Sequence, residues 1–418
     1  MLRPKPETTL EGAAKPEAFQ RLCPVCGAGG GPHLGRLNFV AFDDSPLNGA
    51  FNLAACPVCG LVFYDAAINS EAVAAYYRTE RRYFTSLAPG AGGESTADLR
   101  HQAEIVGYLS SRIKPEHKIF DVGCGRGGLL SALRRAGFHN LYGVDLSPEM
   151  TDDIEKRLGL PAAQATAGRL PFLETAPGLI IYSHVLEHAA EPVELLREAG
   201  RRLATGGLVF IEVPDASAYP LDIPHQEFYL EHLNHFDSSS LSRLLAETGF
   251  QPLDISQAAF ALPGGRNLPV LRALAGRVGD ASAGGGLSAG PSAAEYLPSY
   301  LAWSSNHQVM SGLAKLADSG RPIWVWGLSQ LTMLFLGSSA LARAKIAGLI
   351  DRDPAKIGRA IGGRPVAGPE ILDGRPPDEA LLLAAWGHEA SMRKSPTALN
   401  FHGQVFSISE LNGNTDYW

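Results

Sequence analysis

The chain has 418 residues, of which 45% are apolar and 19% charged, and its formal net charge is −7. This composition is typical of soluble globular proteins, and the length predicts about two or three domains. The acidic balance argues against a general nucleic-acid binder, for which a basic face would be expected. No apolar run approaches the ~18 residues of a spanning helix, and the polar start lacks a signal core. We therefore expect a cytoplasmic protein that binds neither nucleic acid nor membrane.

Residues 1–20 are predicted to be a disordered tail, and two Cys-x-x-Cys-Gly turns follow, at 23–27 and 56–60. Each turn directs two thiolates to one ion. Four thiolates complete a tetrahedral zinc site that leaves no open position for water. We therefore expect a structural Zn²⁺ in a module over residues 21–68, with a redox pair or free thiols as the alternatives. The predicted ligands are Cys23, Cys26, Cys56 and Cys59.

Residues 119–128, IFDVGCGRGG, join a short apolar run to a helical run through a glycine-rich turn. Glycine has no β-carbon, so it permits positive φ and lets a ligand lie against bare backbone. A second strand follows and ends in Asp145, about 20 positions beyond the turn, where an acid can hold a ribose diol. This order predicts a Rossmann-like site for an adenosine ligand. A dinucleotide site and a purely structural turn are the alternatives.

Asp121 stands at the head of this loop and favours one ligand class. A carboxylate there would repel a pyrophosphate, but it suits the positively charged S-adenosylmethionine. The loop resembles motif I of class I methyltransferases, although Thr166 stands where they usually carry an acid for the adenine amino group. Cys124, inside the loop, is expected to be a packing residue. The predicted cofactor-binding residues are Asp121, Gly123, Gly125, Gly127, Asp145, Leu146, Ser183 and His184.

The methyltransferase core is predicted over residues 69–262. Its fourth strand, at 179–182, leads into Ser183 and His184, and His188 follows. The carboxyl ends of parallel strands border the ligand crevice, so both histidines are site candidates, with a structural histidine as the alternative. Four aromatic residues that precede the glycine loop are hypothesised to fold over the ligand as a lid, with packing as the alternative: Tyr76, Tyr77, Tyr83 and Phe84.

A second polar stretch, 225–236, follows the fifth predicted strand and reads HQEFYLEHLNHF. Its three histidines, two glutamates and tyrosine are too polar for a core element, so we expect their side chains to reach the crevice. A solvated loop is the alternative interpretation.

The last part of the chain is predicted as a separate unit. A Gly/Ala/Ser-rich stretch indicates a linker with helices over 263–319. Residues 320–418 then show a new α/β pattern, with strands at 323–326, 346–350, 380–385 and 404–408. This predicts a smaller Rossmann-like lobe that either binds part of a nucleotide-bearing substrate or is purely structural. The expected fold is α/β: a class I methyltransferase Rossmann-like core, an N-terminal zinc-ribbon-like module and this C-terminal lobe.

Three features in this order resemble one family, the deoxysugar C-methyltransferases that act on nucleotide-linked ketosugars. They are the paired cysteine turns, the methyltransferase core, and a C-terminal lobe with Trp-Gly at 326–327 and Asp-x-Asp-Pro at 351–354. The resemblance implies structural zinc, S-adenosylmethionine in the core and a nucleotide-sugar between core and lobe. The family's Tyr-x-Glu-His string is matched by Tyr229, Glu231 and His232, and its histidine after the fourth strand by His188.

Forming a carbon–carbon bond with a sulfonium methyl group requires a carbon nucleophile, which a ketone supplies once the adjacent carbon loses a proton. The base needs a near-neutral pKa, and histidine starts at about 6.5. We expect His232 to be this base, with Glu231 and Tyr229 orienting it or binding sugar hydroxyls. His188 would stabilise the enolate oxygen. Methylation of oxygen or nitrogen on another small metabolite is one alternative, and a non-catalytic scaffold is the other.

Overall fold

A computed structural model of the chain describes residues 19–79, 93, 95–166, 168–172, 174, 176–262, 266–278, 291–395 and 400–411. The predicted tail before residue 19, the predicted lid residues Tyr83 and Phe84, and residues 279–290 of the predicted linker lie outside these ranges. No helix within the described ranges is long and apolar enough to cross a bilayer. The described residues form sheets of four, seven and six strands.

The four-stranded sheet carries the cysteine turns. Its strands β1 His33–Phe39, β2 Gly49–Ala55 and β3 Val62–Asp65 pair antiparallel, and helix α1 Ser70–Thr79 follows them. The glycine after each cysteine turn has positive φ, +73° at Gly27 and +75° at Gly60, so a side chain there would be strained. A fourth strand is supplied from far along the chain by Asn234–His235, which pairs antiparallel with β3.

The central sheet has the strand order β10-β11-β8-β7-β4-β5-β6. The neighbouring strands from β8 to β6 in this order are parallel, and helices cover both faces, which explains the apolar run 179–182 in β7. The strand order reverses beside β4, and ligands bind outside the strand ends at such a point. The elements of this part of the chain are α2 Thr96–Ser110, β4 Ile119–Val122, α3 Gly128–Arg135, β5 Leu141–Asp145, α4 Pro148–Asp153, β6 Ala162–Gln164, β7 Leu179–Ser183, α5 Pro192–Arg202, β8 Leu208–Pro214, β9 Asn234–His235, α6 Ser238–Glu247, β10 Phe250–Ala261 and β11 Asn267–Arg277, of which β9 belongs to the four-stranded sheet.

The edge of this sheet differs from the sequence-based boundary at residue 262. β10 and β11 form a long antiparallel hairpin, and β11 pairs with β8 inside the sheet. Residues 267–277 are therefore part of the core sheet and not of the linker predicted over 263–319. The strand was missed because glycine, alanine and proline dilute its apolar pattern, whereas partner strands on both sides supply its hydrogen bonds.

The third sheet belongs to the C-terminal lobe, where β14-β15-β13-β12-β16-β17 is the strand order. All four predicted strands are present and parallel, and a short hairpin, β14–β15, was not predicted. The predicted α/β class with a Rossmann-like core is confirmed. The elements are α7 Ala293–Ser305, α8 Gln308–Asp318, β12 Ile323–Trp326, α9 Gln330–Ser338, β13 Ile346–Ile350, β14 Ala360–Ile361, β15 Arg364–Ala367, β16 Ala380–Leu383, α10 Glu389–Arg393 and β17 Gln404–Ser407.

Helix α9 packs closely against β1, which joins the C-terminal lobe to the N-terminal sheet. The hydroxyl of Ser338 donates to the carbonyl of Asn38 (3.0 Å) and accepts from its amide (2.7 Å). The adjacent Gly337 permits this approach, because a β-carbon there would lie 2.1 Å from the Asn38 carbonyl oxygen. A close backbone contact therefore sets how the two parts meet.

We expect Gly337→Ala to lower the free energy of unfolding by about 1–3 kcal/mol, because the new methyl group overpacks a backbone contact. Gly107→Ala is the matched control, since Gly107 also lies inside a helix but has open space at its β-position. Alanine there should be neutral or stabilising by about 0.5–1 kcal/mol. Thermal unfolding of both variants measures the difference, and equal melting temperatures would show that this contact does not constrain the lobes.

Candidate active site

A cavity of about 1330 Å³ lies where the three sheets meet. It is lined by the strand ends of the core, by the polar stretch 226–232, by helix α1 and by the turn before α9. Pockets for a single small ligand measure about 300–1,000 Å³, so this one has room for a cofactor and an acceptor together. Its two ends differ in chemistry.

The glycine loop forms the floor of the first end, the cofactor end. Gly123, Gly125 and Gly127 all have positive φ, at +75°, +51° and +73°. A β-carbon on Gly123 would lie 2.6 Å from the side chain of Val185, so the loop packs directly against the turn after β7. Bare backbone therefore faces the cavity, as the sequence pattern predicts.

Asp145 ties this loop to the end of β5. Its Oδ2 accepts a hydrogen bond from the amide of Gly125, and its Oδ1 accepts one from the amide of Ser147, both at 2.9 Å. An ionised carboxylate has about four lone-pair sites, so the two oxygens can still accept from a ribose diol. Leu146 and Thr166 line the same region of the cavity.

Asp121 lies behind the loop, 3% exposed, and lines the same cavity as Asp145. Burial and the neighbouring Asp145 raise the pKa of Asp121 to about 7, and burial also raises the pKa of Asp145. Burial disfavours the ionised form of both carboxylates, and a positive charge nearby would stabilise that form. The cofactor end is therefore suited to a cationic ligand that carries a diol.

Four buried side-chain atoms at this end have no hydrogen-bond partner among the described residues. They are Nδ1 of His101, Oε1 of Gln102, Nε2 of His184 and Oε2 of Glu187, and all four residues line the cavity. Buried polar atoms are normally paired, so a ligand with several N–H or O–H groups would complete them. An amino acid ammonium next to an adenosine has such donors.

A charged cluster beneath these atoms was missed by sequence reasoning. Glu212 of β8 is fully buried, with Arg272 Nε and His101 Nε2 each 2.6 Å from its oxygens and the Ser183 hydroxyl 3.2 Å away. Burial alone would raise the pKa of Glu212, but His101, His184 and Arg272 lower it to about 2. The signal was a single carboxylate within the apolar strand Leu208–Pro214.

His184 lies between this cluster and the cavity. Its backbone has φ of +53°, which is unusual for a residue with a β-carbon, and its Nδ1 is 3.0 Å from Glu187 Oε1. Burial would lower the pKa of His184, but Glu187 and Glu212 raise it. The predicted residues Ser183 and His184 thus reach the cavity, although their side chains also complete the buried cluster.

The second end of the cavity, the acceptor end, brings together the four predicted catalytic residues. The rings of His188 and His232 have centroids 4.7 Å apart, and the ring of Tyr229 lies 4.5 Å from that of His232. Nδ1 of His188 donates to the backbone carbonyl of Glu231 (3.1 Å), so this proton is fixed. The other nitrogen, Nε2, lies 3.8 Å from Glu187 Oε1.

Asn234 positions both parts of this end and was not predicted from the sequence. Its side-chain amide donates to the carbonyls of Leu186 (2.9 Å) and Ala189 (2.7 Å), which flank His188. Its backbone belongs to β9, two residues after His232. One buried side chain therefore holds the His188 turn against the stretch that carries His232.

The C-terminal lobe closes the acceptor end with the turn before α9. Asp351 accepts from the amide of Leu328 and from Lys356 Nζ, both at 2.9 Å. Burial would raise the pKa of Asp351, but Lys356 lowers it. Ser329, Lys356 and Trp386 of this lobe line the cavity, together with His388.

The four N-terminal cysteines form one cluster away from the cavity. Sγ of Cys23 lies 3.5 Å from that of Cys59, Sγ of Cys26 lies 3.4 Å from that of Cys56, and all four are within 4.8 Å of one another. A tetrahedron with Zn–S bonds of about 2.3 Å has edges of about 3.8 Å, so the cluster has the size of a zinc site. The fifth cysteine, Cys124, is buried in the glycine loop, as expected.

Comparison with known proteins identifies the central part of the chain. A family model described as a methyltransferase domain matches residues 97–255. An uncharacterised 37.1 kDa protein in transposon TN4556 of Streptomyces fradiae is 31% identical over 171 residues, which are 37% of this chain and 50% of that protein. A ubiquinone biosynthesis O-methyltransferase of Methylococcus capsulatus is 32% identical over 121 residues, 27% of this chain and 51% of the enzyme.

The chain thus spans about half the length of these two curated relatives. Among solved structures, that of the [4+2]-cyclase SpnF superposes with a TM-score of 0.40 at 16% identity, covering 50% of this chain and 97% of the cyclase. The family match, the strand order and the glycine loop agree with one another. Residues 97–255 thus match a methyltransferase domain in sequence and have the class I Rossmann-like fold.

Proposed function

We propose that the protein is an S-adenosylmethionine-dependent methyltransferase that methylates a carbon atom of a nucleotide-linked ketosugar. The observation that carries the proposal is the pair of imidazoles, His188 and His232, held 4.7 Å apart in the same cavity as the glycine loop. A base beside an oxyanion donor is what enolisation of a ketone requires.

The cofactor end supports the donor half of this proposal. S-adenosylmethionine is a cation with a ribose diol and an ammonium group, and it supplies an electrophilic methyl group when bound. Asp145 would hold the diol, and Asp121 lies close enough to favour the positive charge. The unpaired atoms of Gln102 and Glu187 would accept from the ammonium. The intact loop argues against a vestigial site.

The second half of the proposal, the nucleotide-sugar, is supported by the position of the C-terminal lobe. The lobe places the N-terminus of α9, Lys356 and the indole of Trp386 on one cavity wall. A helix N-terminus and a lysine are favourable neighbours for a phosphate, and an indole can stack on a base. The sugar would then extend toward His188 and His232.

The proposed chemistry assigns one task to each residue. His232 removes the proton from the carbon beside the ketone. His188, whose Nδ1–H is held by the Glu231 carbonyl, donates to the developing enolate oxygen from Nε2 when this nitrogen also carries a proton. Tyr229 packs on His232 and orients it. Methyl transfer then depends mainly on positioning.

We expect His232→Ala to slow exchange of the ketosugar α-hydrogen with deuterated solvent by about 10²–10⁴-fold in the absence of the methyl donor. The exposed His139 lies outside the cavity lining, so His139→Ala is the matched control and should exchange at the normal rate. Proton NMR of the acceptor measures the exchange rate with each variant. Normal exchange in a folded His232→Ala variant would remove this residue from the role of base.

We also expect the affinity for S-adenosylmethionine to rise from about pH 6 to about pH 8. The cation favours ionised Asp121, whose pKa is about 7 without ligand, so binding below that pH releases a proton. Titration calorimetry of S-adenosylmethionine binding, repeated in buffers of different ionisation enthalpy, gives the number of protons released on binding. Asp121→Asn should bind with a smaller release, and unchanged proton release in this variant would contradict the assignment.

Methylation of a hydroxyl or nitrogen is the second candidate, favoured by the similarity to a ubiquinone biosynthesis O-methyltransferase. Methylation of carbon and methylation of oxygen or nitrogen can be distinguished by incubating the protein with nucleotide ketosugars and with hydroxylated aromatics, each with an isotopically labelled methyl donor. Mass spectrometry finds the product, and carbon NMR shows whether the label is bonded to carbon or oxygen. A label on oxygen or nitrogen would replace the ketosugar proposal by the second candidate.

We further propose that the cysteine cluster holds a structural Zn²⁺. Four thiolates and no open position exclude a catalytic role for the ion, and its binding energy would stabilise the sheet that receives β9. Cys56→Ser should lose the ion and unfold at lower temperature. Cys124→Ala, which removes the buried thiol outside the cluster, should keep one zinc per chain by plasma mass spectrometry. Full zinc content in Cys56→Ser would refute the site.

A further inference from the structure

Glu231, Tyr76 and Gln330 form a hydrogen-bonded triad from three distant parts of the chain. The hydroxyl of Tyr76 donates to Glu231 Oε2 at 3.1 Å. The side-chain amide of Gln330 donates to the same oxygen at 3.0 Å and to the Tyr76 hydroxyl at 3.1 Å. Tyr76 and Glu231 are 1% exposed and Gln330 is 8% exposed. The contact joins α1, the polar stretch and the first residue of α9.

These contacts determine which way the amide of Gln330 points. The nitrogen has two acceptors in front of it, a carboxylate oxygen and a hydroxyl that already donates to that carboxylate. The reversed amide would place a carbonyl oxygen against the carboxylate, with no proton between them. Oε1 of Gln330 is therefore the atom directed away from the triad.

That oxygen has no hydrogen-bond partner among the residues that the structure describes. It belongs to a side chain more than nine-tenths buried that lines the cavity beside Glu231 and His232. A buried carbonyl without a donor is costly, and this one is adjacent to the residues proposed to act on the acceptor. Because an amide oxygen is neutral, it suits a neutral O–H group rather than a cation, for which Asp121 and Asp145 provide charge at the other end.

We propose that Gln330 is a specificity-determining residue: its carbonyl oxygen accepts a hydrogen bond from a hydroxyl group of the methyl acceptor. The nitrogen of the same amide donates to Glu231, the residue before His232. Gln330 of the C-terminal lobe therefore contacts the acceptor through its oxygen and fixes the side chain of Glu231 through its nitrogen. This inference rests on the proposed function, since it needs an acceptor in this end of the cavity. It restricts the acceptor to molecules with a hydroxyl near the reacting atom.

The test uses the full-length protein, a nucleoside-diphosphate ketohexose and its monodeoxy analogues, each lacking one ring hydroxyl. The wild type should reject one analogue by at least about 100-fold in kcat/KM, because that analogue leaves Oε1 unpaired. Gln330→Met, which has similar length and no hydrogen-bonding amide, should reduce this discrimination to less than about 10-fold, mainly through KM. The Kd for S-adenosylmethionine should stay unchanged.

Met333→Leu is the matched control. Met333 lines the cavity one turn further along α9 and offers no amide, so its substitution should leave the discrimination between analogues intact. Full discrimination in a folded Gln330→Met protein would overturn the proposal. An equal loss of discrimination in Met333→Leu would also overturn the proposal, because it would show that the loss comes from altered packing of the cavity wall.

Gln330→Glu tests the same idea if the methionine variant does not fold. The new carboxyl keeps an acceptor oxygen and, when protonated, still donates to Glu231, so discrimination should persist at low pH. Two carboxylates this close share one proton over a wide pH range, so an acceptor oxygen remains and the discrimination should persist as the pH rises. Loss of the discrimination in a folded Gln330→Glu protein would contradict the proposed role.

The two proposals fail in different ways. If the wild type methylates no ketosugar but methylates another hydroxylated acceptor, the proposed substrate class is wrong, and the same variants with that acceptor's deoxy analogue still test Gln330. If the wild type methylates a ketosugar and tolerates the loss of every hydroxyl, the methyltransferase proposal stands and the role of Gln330 is excluded.

Discussion

The acceptor end depends on Asn234 more than on any other single residue. Its backbone lies in the strand that completes the N-terminal sheet, and its side chain holds the turn that carries His188. His232 is two residues away in the same segment. A two-residue strand is weak by itself, but the backbone of Asn234 pairs with β3 while its side chain bonds to the turn at Leu186 and Ala189. The distance between the two imidazoles is therefore a consequence of how the sheets are connected.

This arrangement connects the cysteine cluster, which does not line the cavity, to the position of the catalytic candidates. The sheet that carries the cysteine turns provides β3, and β3 is the partner of β9. A small sheet benefits from a metal cross-link, because the ion's binding energy adds to that of the buried side chains. If zinc stabilises that sheet, it also stabilises the stretch that carries Glu231 and His232, without taking part in the chemistry.

The two ends of the cavity are electrostatically distinct, and each suits one reactant. Asp121 and Asp145 make the cofactor end acidic, while Arg272 compensates the fully buried Glu212 beneath it. The acceptor end is lined by imidazoles, a tyrosine and a neutral amide, and Lys356 of the C-terminal lobe also lines the cavity. A cation is thus favoured at the cofactor end, which would place a sulfonium methyl group between the glycine loop and the histidines.

The sequence predicted best those features that depend on residues close together in the chain. The order of strand, glycine turn, helix and acid predicted the loop geometry and the positions of Gly123, Gly125 and Asp145, because positive φ and strand-end acids follow from adjacent residues. The four cysteines were grouped correctly for the same reason. Glu212 left a sequence signal, a carboxylate in an apolar strand, but its partners His101 and Arg272 lie on other elements and could not be inferred.

What the sequence by itself determined is therefore the fold class, the glycine loop and the set of candidate side chains, since these depend on backbone preferences and short-range spacing. Only the tertiary structure decided that β11 belongs to the core sheet, that Asn234 joins the two histidine segments and that Gln330 meets Glu231 and Tyr76. Each of these contacts spans tens to hundreds of residues. Such pairings depend on how the sheets pack in space, which no pattern in neighbouring residues records.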